Sequence, residues 1–102
     1  MTTPPGFATV TPYLFVDGAD DYLTFLAAAF GAEDLGCSRR PDGKVANAQL
    51  RIGNAILMVS EASPQFPAMA SSYYLYVDDA NRGMDRAIAA GAREIMKVAD
   101  MP

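Results

Sequence analysis

The chain has no histidine and no tryptophan, a single cysteine, and no apolar run of membrane length. Without an imidazole, the usual proton carrier near neutral pH and the commonest transition-metal ligand are both absent. Cys37 has no internal disulfide partner, which fits a reducing cytoplasmic setting, and no imidazole to activate its thiol. No segment approaches the roughly 20 apolar residues of a bilayer crossing, so a membrane partner is not expected. The start, Met1-Thr2-Thr3-Pro4-Pro5-Gly6, lacks the basic end and apolar middle of a secretory signal. Basic residues are few as well, 8 against 12 acidic ones for a net charge of −4. They are scattered, so no phosphate-tracking stripe exists and nucleic acid is not an expected partner.

What is present is hydrophobic: 51% of 102 residues, enough for one globular domain spanning 1–102 and small enough to gain from assembly. Its pattern repeats. Tyr13-Leu14-Phe15-Val16-Asp17 returns as Tyr74-Leu75-Tyr76-Val77-Asp78, Ala19 as Ala80, and Gly31-Ala32 as Gly91-Ala92. A spacing of roughly 60 residues suits two copies of one supersecondary module better than a stacked solenoid. Duplication predicts that Tyr13 and Tyr74 occupy equivalent places about a pseudo-twofold axis.

Residues 1–8 read as a loose arm, ordered where Phe7 finds a pocket. Residues 9–16 alternate as a first strand, and Pro12, with no amide hydrogen, predicts a sheet edge or a bulge. Asp20 or Asp21 is expected to cap the following helix, whose apolar stripe is Tyr22, Phe25, Leu26, Ala29 and Phe30, with Gly31 closing it. A second strand covers Glu33 to Arg40, and Pro41-Asp42-Gly43-Lys44 is a turn. In the third strand, Val45 to Ile52, alternation separates Ala46, Ala48, Leu50 and Ile52 from Val45, Asn47, Gln49 and Arg51. Gly53-Asn54 is a two-residue hairpin loop before a fourth strand, Ala55 to Ser60. The first module is thus strand, helix and three strands, about 9–60. Residues 61–70 form a proline-stiffened linker with no motif. The partial second module, 71–102, reads as a strand from Ser71 to Val77, a helix capped by Asp78-Asp79 with Met84, Ala87, Ile88 and Ala90 on its apolar side, and a strand from Arg93 to Val98. Pro102 aligns with the Pro41-Asp42 hairpin, leaving the second module truncated by two strands. A continuation of roughly 15 to 25 residues is expected to complete it.

Thr11-Pro12-Tyr13-Leu14-Phe15-Val16-Asp17-Gly18, the helix end Phe30-Gly31-Ala32, Leu50-Arg51-Ile52-Gly53-Asn54, Tyr76-Val77-Asp78-Asp79-Ala80 and Gly91-Ala92 occur in an order and spacing that resemble the glyoxalase/bleomycin-resistance/dioxygenase group. This is the vicinal oxygen chelate (VOC) superfamily, here in its PhnB-like branch. The resemblance runs from Thr9 through Val98. It implies an α+β fold of paired βαβββ modules around a cleft, commonly stabilised by dimer formation, and it carries no chemistry by itself.

Alternation assigns the cleft lining. With Leu14, Val16, Leu75 and Val77 toward the helices, Thr11, Tyr13, Phe15, Ser72, Tyr74 and Tyr76 take the other side. Asn47, Gln49 and Arg51 join them from the third strand and Met58 from the fourth. An aromatic wall with a few polar groups is the usual makeup of a small-molecule pocket, although tyrosines on alternating strands also serve as ordinary core or interface residues. Asn47 and Gln49 favour a site, because buried amides need partners. Arg51 suits either a ligand carboxylate or a dimer contact.

The resemblance also implies metal ligands on the first strand, the fourth strand and the opening strand of the second copy. The matching residues are Thr11, Met58 and Ser72, poor donors for a divalent transition metal. Asn47 stands where the PhnB-like branch often has histidine, and Gln49 where glutamate is common. No metal and no other cofactor is expected, and no catalytic residue can be named. Cys37 reads as a small strand residue, Glu61 as a solvated strand-end carboxylate, and Arg39-Arg40 as a solvated edge. Ser60, Ser63, Ser71 and Ser72 lack a nucleophile context. Three functions stay open: a metal-free, homodimeric protein binding an apolar or aromatic ligand in a tyrosine-lined cleft, as bleomycin-resistance proteins do; a lyase, isomerase or dioxygenase with residues from the expected continuation; and a degenerate structural or interaction domain.

Overall fold

A computed structural model describes residues 2–99. Its elements run β1 (Tyr13–Val16), α1 (Ala19–Phe30), β2 (Glu33–Arg39), β3 (Val45–Ile52), β4 (Ala55–Glu61) and α2 (Ala80–Ala89). The fold is α+β, and β1 through β4 with α1 form one βαβββ module. The four strands lie in the order β1-β4-β3-β2, with β1 parallel to β4 and the remaining neighbours antiparallel. β1 is an edge strand, as Pro12 requires. The strand is also shorter than the alternation suggested: residues 9–12 lie outside the ladder, and Pro12 contributes only its carbonyl, which accepts from the Met58 amide at 2.9 Å.

The sheet face toward α1 holds the core. Leu14, Val45, Ala48, Leu50, Leu57 and Val59 are buried with Ala19 and Leu26 of α1, and Tyr22, Phe25 and Phe30 pack at the margin. One member breaks the expected alternation. Val45, assigned to the polar side, is fully buried. The cause is a bulge: Ser38 pairs with Asn47 and Arg39 with Val45, so Ala46 is left out of the ladder and the face of β3 changes there.

Capping of α1 also differs from expectation. The cap position is Gly18, in the left-handed region with φ 75°, and it offers no side chain. The Glu61 carboxylate at the end of β4 accepts the Gly18 and Ala19 amides instead, both at 2.9 Å. Those two bonds, led by Ala19, hold the Glu61 carboxyl below the usual carboxylate range. Glu61 is therefore a cap rather than a solvated end. Asp20 is committed elsewhere, to Arg39 at 2.8 and 3.0 Å. At the other end Gly31 adopts φ 68°, the left-handed stop expected of it.

The second copy keeps its helix but not its strands. α2 begins at Ala80 as α1 begins at Ala19, so the repeat is in register at both helix starts, and Asp79 caps α2 by accepting from the Arg82 amide at 3.1 Å. Ser71–Val77 and Arg93–Val98, both expected as strands, belong to no sheet among the described residues. A strand persists only where a neighbour takes up its amides and carbonyls. β4 does so for β1, and no described strand does so for 71–77. Tyr13 and Tyr74 consequently have unlike surroundings: Tyr13 is 39% exposed on a paired strand and Tyr74 86% exposed. The continuation expected after Pro102 lies outside the described residues.

The alternation of 71–77 nonetheless survives. Tyr73 reaches α1, its hydroxyl 2.6 Å from that of Tyr22, and Val77 packs against Gly83 of α2, where a side-chain carbon would come within 3.4 Å of Val77 Cγ2. Arg86 of α2 donates from Nε to the Ala28 carbonyl at 2.7 Å. A cation thereby sits at the negative end of the α1 dipole.

Candidate ligand-binding site

Leu14, Ala48, Leu50, Leu57 and Val59 point to α1, so their strand neighbours point away from it. That second face carries Thr11, Tyr13 and Phe15 from the first segment, Asn47, Gln49 and Arg51 from β3, and Ile56, Met58 and Ser60 from β4. Strand register places Tyr13, Met58 and Gln49 in one row across the sheet.

A groove of about 480 Å³ opens over this face, lined by Thr11, Gln49 and Met58 below and by Thr3, Pro4 and Phe7 of the arm above. The arm turns through a Phe7 amide to Pro4 carbonyl bond of 3.0 Å. It also passes over the far end of the face, where Arg51 Nη2 and Ile56 Cδ1 are 3.8 and 4.0 Å from the position of a Gly6 side-chain carbon. Phe7 is half-buried against this groove, matching the pocket expected for it.

Beside the groove lie stacked aromatic rings. Tyr13 stacks on Phe15 at 4.9 Å between centroids, and Phe15 on Phe66 at 5.1 Å. Phe66 comes from the segment read as a linker without a motif. That segment folds back because Met69 donates its amide to the Phe15 carbonyl at 3.0 Å and Ser63 closes a turn with Phe66. Nothing in the local sequence marks Phe66 for this role.

Polar groups converge at the tip of Tyr13. Its hydroxyl lies 2.6 Å from Ser60 Oγ and accepts from Asn47 Nδ2 at 3.2 Å, while Ser60 donates to the Ala46 carbonyl at 2.5 Å. Ser60 is 2% exposed, so this network is anchored in the interior. The position of Ser60, two residues from Met58 on one strand, was the available signal for its place on this face. Arg51 sits apart, 3.5 Å from Glu33 in an exposed ion pair.

Seven of the ten residues singled out by alternation thus share one face: Thr11, Tyr13, Phe15, Asn47, Gln49, Arg51 and Met58. Ser72, Tyr74 and Tyr76 do not join them. They lie on the second-copy segment, which pairs with no strand among the described residues, where Tyr74 and Tyr76 are 86% and 93% exposed and their rings meet at a tilt, 5.4 Å between centroids.

The ligand positions implied by the superfamily do not fit a divalent transition metal. Thr11 and Met58 do line one groove, but they offer a hydroxyl and a thioether, and Ser72 is exposed on another segment. Among the described residues, no three histidine, cysteine, aspartate or glutamate side chains group together. No helix of the described chain is long and apolar enough to cross a membrane.

No family model matches the chain. It is 31% identical over 102 residues to the uncharacterised Mycobacterium bovis protein Mb0911c, covering 89% of this chain and 67% of that protein. The uncharacterised Mycobacterium tuberculosis protein Rv0887c matches at the same identity, and the chain spans only 60% of its length. Among solved structures, a gene product of Arabidopsis thaliana superposes with a TM-score of 0.70 at 24% identity, over 90% of this chain and 80% of that one. TioX from Micromonospora sp. ML1 follows at 0.65 and 24%, over 93% and 79%. A PhnB protein from Bacillus cereus gives 0.61 at 18% identity, over 84% and 74%. These likenesses carry the architecture rather than any one activity. By its sequence the chain belongs to the family of Mb0911c, and by its architecture it has the VOC fold.

Proposed function

We propose that this chain is a small-molecule-binding protein that takes an apolar or aromatic ligand against the sheet face opposite α1, without a catalytic metal. The observation that carries the reading is the 480 Å³ groove over Thr11, Gln49 and Met58, adjoining the stacked rings of Tyr13, Phe15 and Phe66. Its volume suits a small organic ligand, and its few polar groups are of the kind that orient one. The donor chemistry of Thr11 and Met58 argues against metal-assisted turnover.

Thermal shift of the whole chain against a panel of aromatic and amphipathic compounds tests this, since a ligand that binds the native state must raise stability. Stabilisation by at least one planar aromatic compound is expected. No stabilisation by any of them at high excess would overturn the reading.

We infer further that the protein works as a cytoplasmic homodimer of one-domain chains. Exposed Tyr74, Tyr76, Ile95 and Met96, between 76% and 93% accessible, supply apolar surface for a second copy to cover. Light scattering during gel filtration measures this, and a species of only 10.9 kDa would exclude it.

A further inference from the structure

Pro4, Pro5, Gly6 and Phe7 form a closed turn ahead of the sheet. The Phe7 amide donates to the Pro4 carbonyl at 3.0 Å, and Gly6 takes φ 84°. Proline in the second place and a left-handed glycine in the third are what a type II turn demands, so four adjacent residues set this shape without help from the sheet. The result is a fixed presentation of the Phe7 ring.

The turn is tied to the sheet loosely. Among the described residues, no hydrogen bond joins residues 2–11 to a strand, and the first such bond is the one from the Met58 amide to the Pro12 carbonyl. Of residues 2–10, Phe7 alone is not exposed. Contact of one ring with the groove is therefore the main tether, and residues 8–11 leave the turn free to lift while it keeps its own shape.

The place of Phe7 decides between two roles. A plug would fill the space over Thr11, Gln49 and Met58. With the arm in position that space still measures about 480 Å³, bounded by Thr3, Pro4 and Phe7 on one side and the sheet residues on the other. Phe7 is a wall of the groove rather than its contents.

We propose that the arm is the movable second wall of the ligand site: a flat aromatic ligand enters between Phe7 and the pair Gln49 and Met58, and the preformed turn closes on it. Such a ligand offers one face to the Phe7 ring and the other to the Met58 thioether, both favourable partners for an aromatic surface. Because the turn is shaped beforehand, closing it loses less chain entropy than ordering a formless arm would. The proposal rests on the small-molecule reading of this face, and goes beyond it by giving residues 3–7 a binding role.

Nuclear magnetic resonance titration of the whole chain with 2-methoxynaphthalene, followed by measurement of intermolecular Overhauser contacts, tests it. Contacts from naphthyl protons to both the Phe7 ring and the Met58 methyl are expected. Phe7→Ala should weaken binding about tenfold, the scale of burying half an aromatic side chain, chiefly through faster dissociation. Gly6→Ala keeps the ring but places a β-carbon at a left-handed position, so it should weaken binding as well. Tighter binding by Phe7→Ala would make the arm a plug and overturn the proposal. Contacts to Met58 without any to Phe7, or native affinity in both variants, would also overturn it and leave the binding reading intact. Absence of shifts at Gln49 and Met58 with 2-methoxynaphthalene and with every other compound of the aromatic panel would overturn the binding reading itself, and this proposal with it.

Discussion

Tyr22 of α1 and Tyr73 of the second-copy segment meet hydroxyl to hydroxyl at 2.6 Å. The bond ties a stretch that belongs to no sheet among the described residues to the helix covering the core. Burial, and then the bond to Tyr22, push the Tyr73 phenol above its ordinary value of 10.0.

Tyr22→Phe and Tyr73→Phe should each cost about 1 kcal/mol in urea unfolding, the usual net worth of a hydrogen bond. The double variant should cost little more than either alone, because both remove one shared interaction. In the native chain the Tyr73 contribution is fully present below pH 10 and is lost as pH rises above the unfolded phenol's value of 10.0. Tyr73→Phe should therefore flatten the alkaline loss of stability.

Glu61→Gln should weaken the start of α1 by about 1 kcal/mol, the typical worth of an N-cap. The folded carboxyl of Glu61 lies below its ordinary value of 4.5, so its contribution is present above that pH and disappears as pH falls through the lower folded value. Urea midpoints measured from neutral to acid pH should converge for native chain and variant at the acid end.

The bulge at Ala46 sets two neighbouring residues apart. Val45→Ala should cost about 2 kcal/mol through the cavity it opens in the core, whereas Ala46→Ser should fall within about 0.5 kcal/mol of native. Strict alternation along β3 would demand the reverse ranking, so equilibrium unfolding of the pair decides between them.

Met58→Trp fills the groove beside Thr11 and Gln49. Whichever aromatic compound stabilises the native chain should lose at least about tenfold in affinity, equivalent to 1.4 kcal/mol, with helix and strand signals in circular dichroism unchanged.

Dialysis against a chelator should leave the melting temperature unmoved, and elemental analysis of purified protein should show no stoichiometric zinc, nickel, iron or manganese. Thr11 and Met58 are not ligands that would retain such ions. A drop in melting temperature that zinc or manganese restores would contradict this.

Much of the first module was legible because its signals are local. The stripe Tyr22, Phe25, Leu26, Ala29 and Phe30 specifies one helix face, Gly31 a left-handed stop, and Gly53-Asn54 a two-residue loop between β3 and β4. The helix starts at Ala19 and Ala80 repeat because the same short pattern precedes both. The grouping of Thr11, Tyr13, Phe15, Asn47, Gln49 and Met58 on one face follows from period-two alternation once the strands pair.

Other features depended on residues distant in the chain. Asp20 and Asp21 are plausible caps by position, yet Glu61 performs the task, because the parallel pairing of β1 and β4 brings its carboxylate to the Gly18 and Ala19 amides. Phe66 joins the aromatic stack only through the fold-back that bonds Met69 to Phe15.

Periodicity and turn chemistry in the sequence determined the apolar face of α1, the alternation of β4 and the stop at Gly31, since these depend on neighbours a few residues away. Tertiary structure alone decided which segments became strands, which carboxylate caps α1, and which side chains meet at the hydroxyl of Tyr13. Each of these depends on a partner group tens of residues distant, and a backbone amide, a helix end or a hydroxyl proton settles only when that partner arrives.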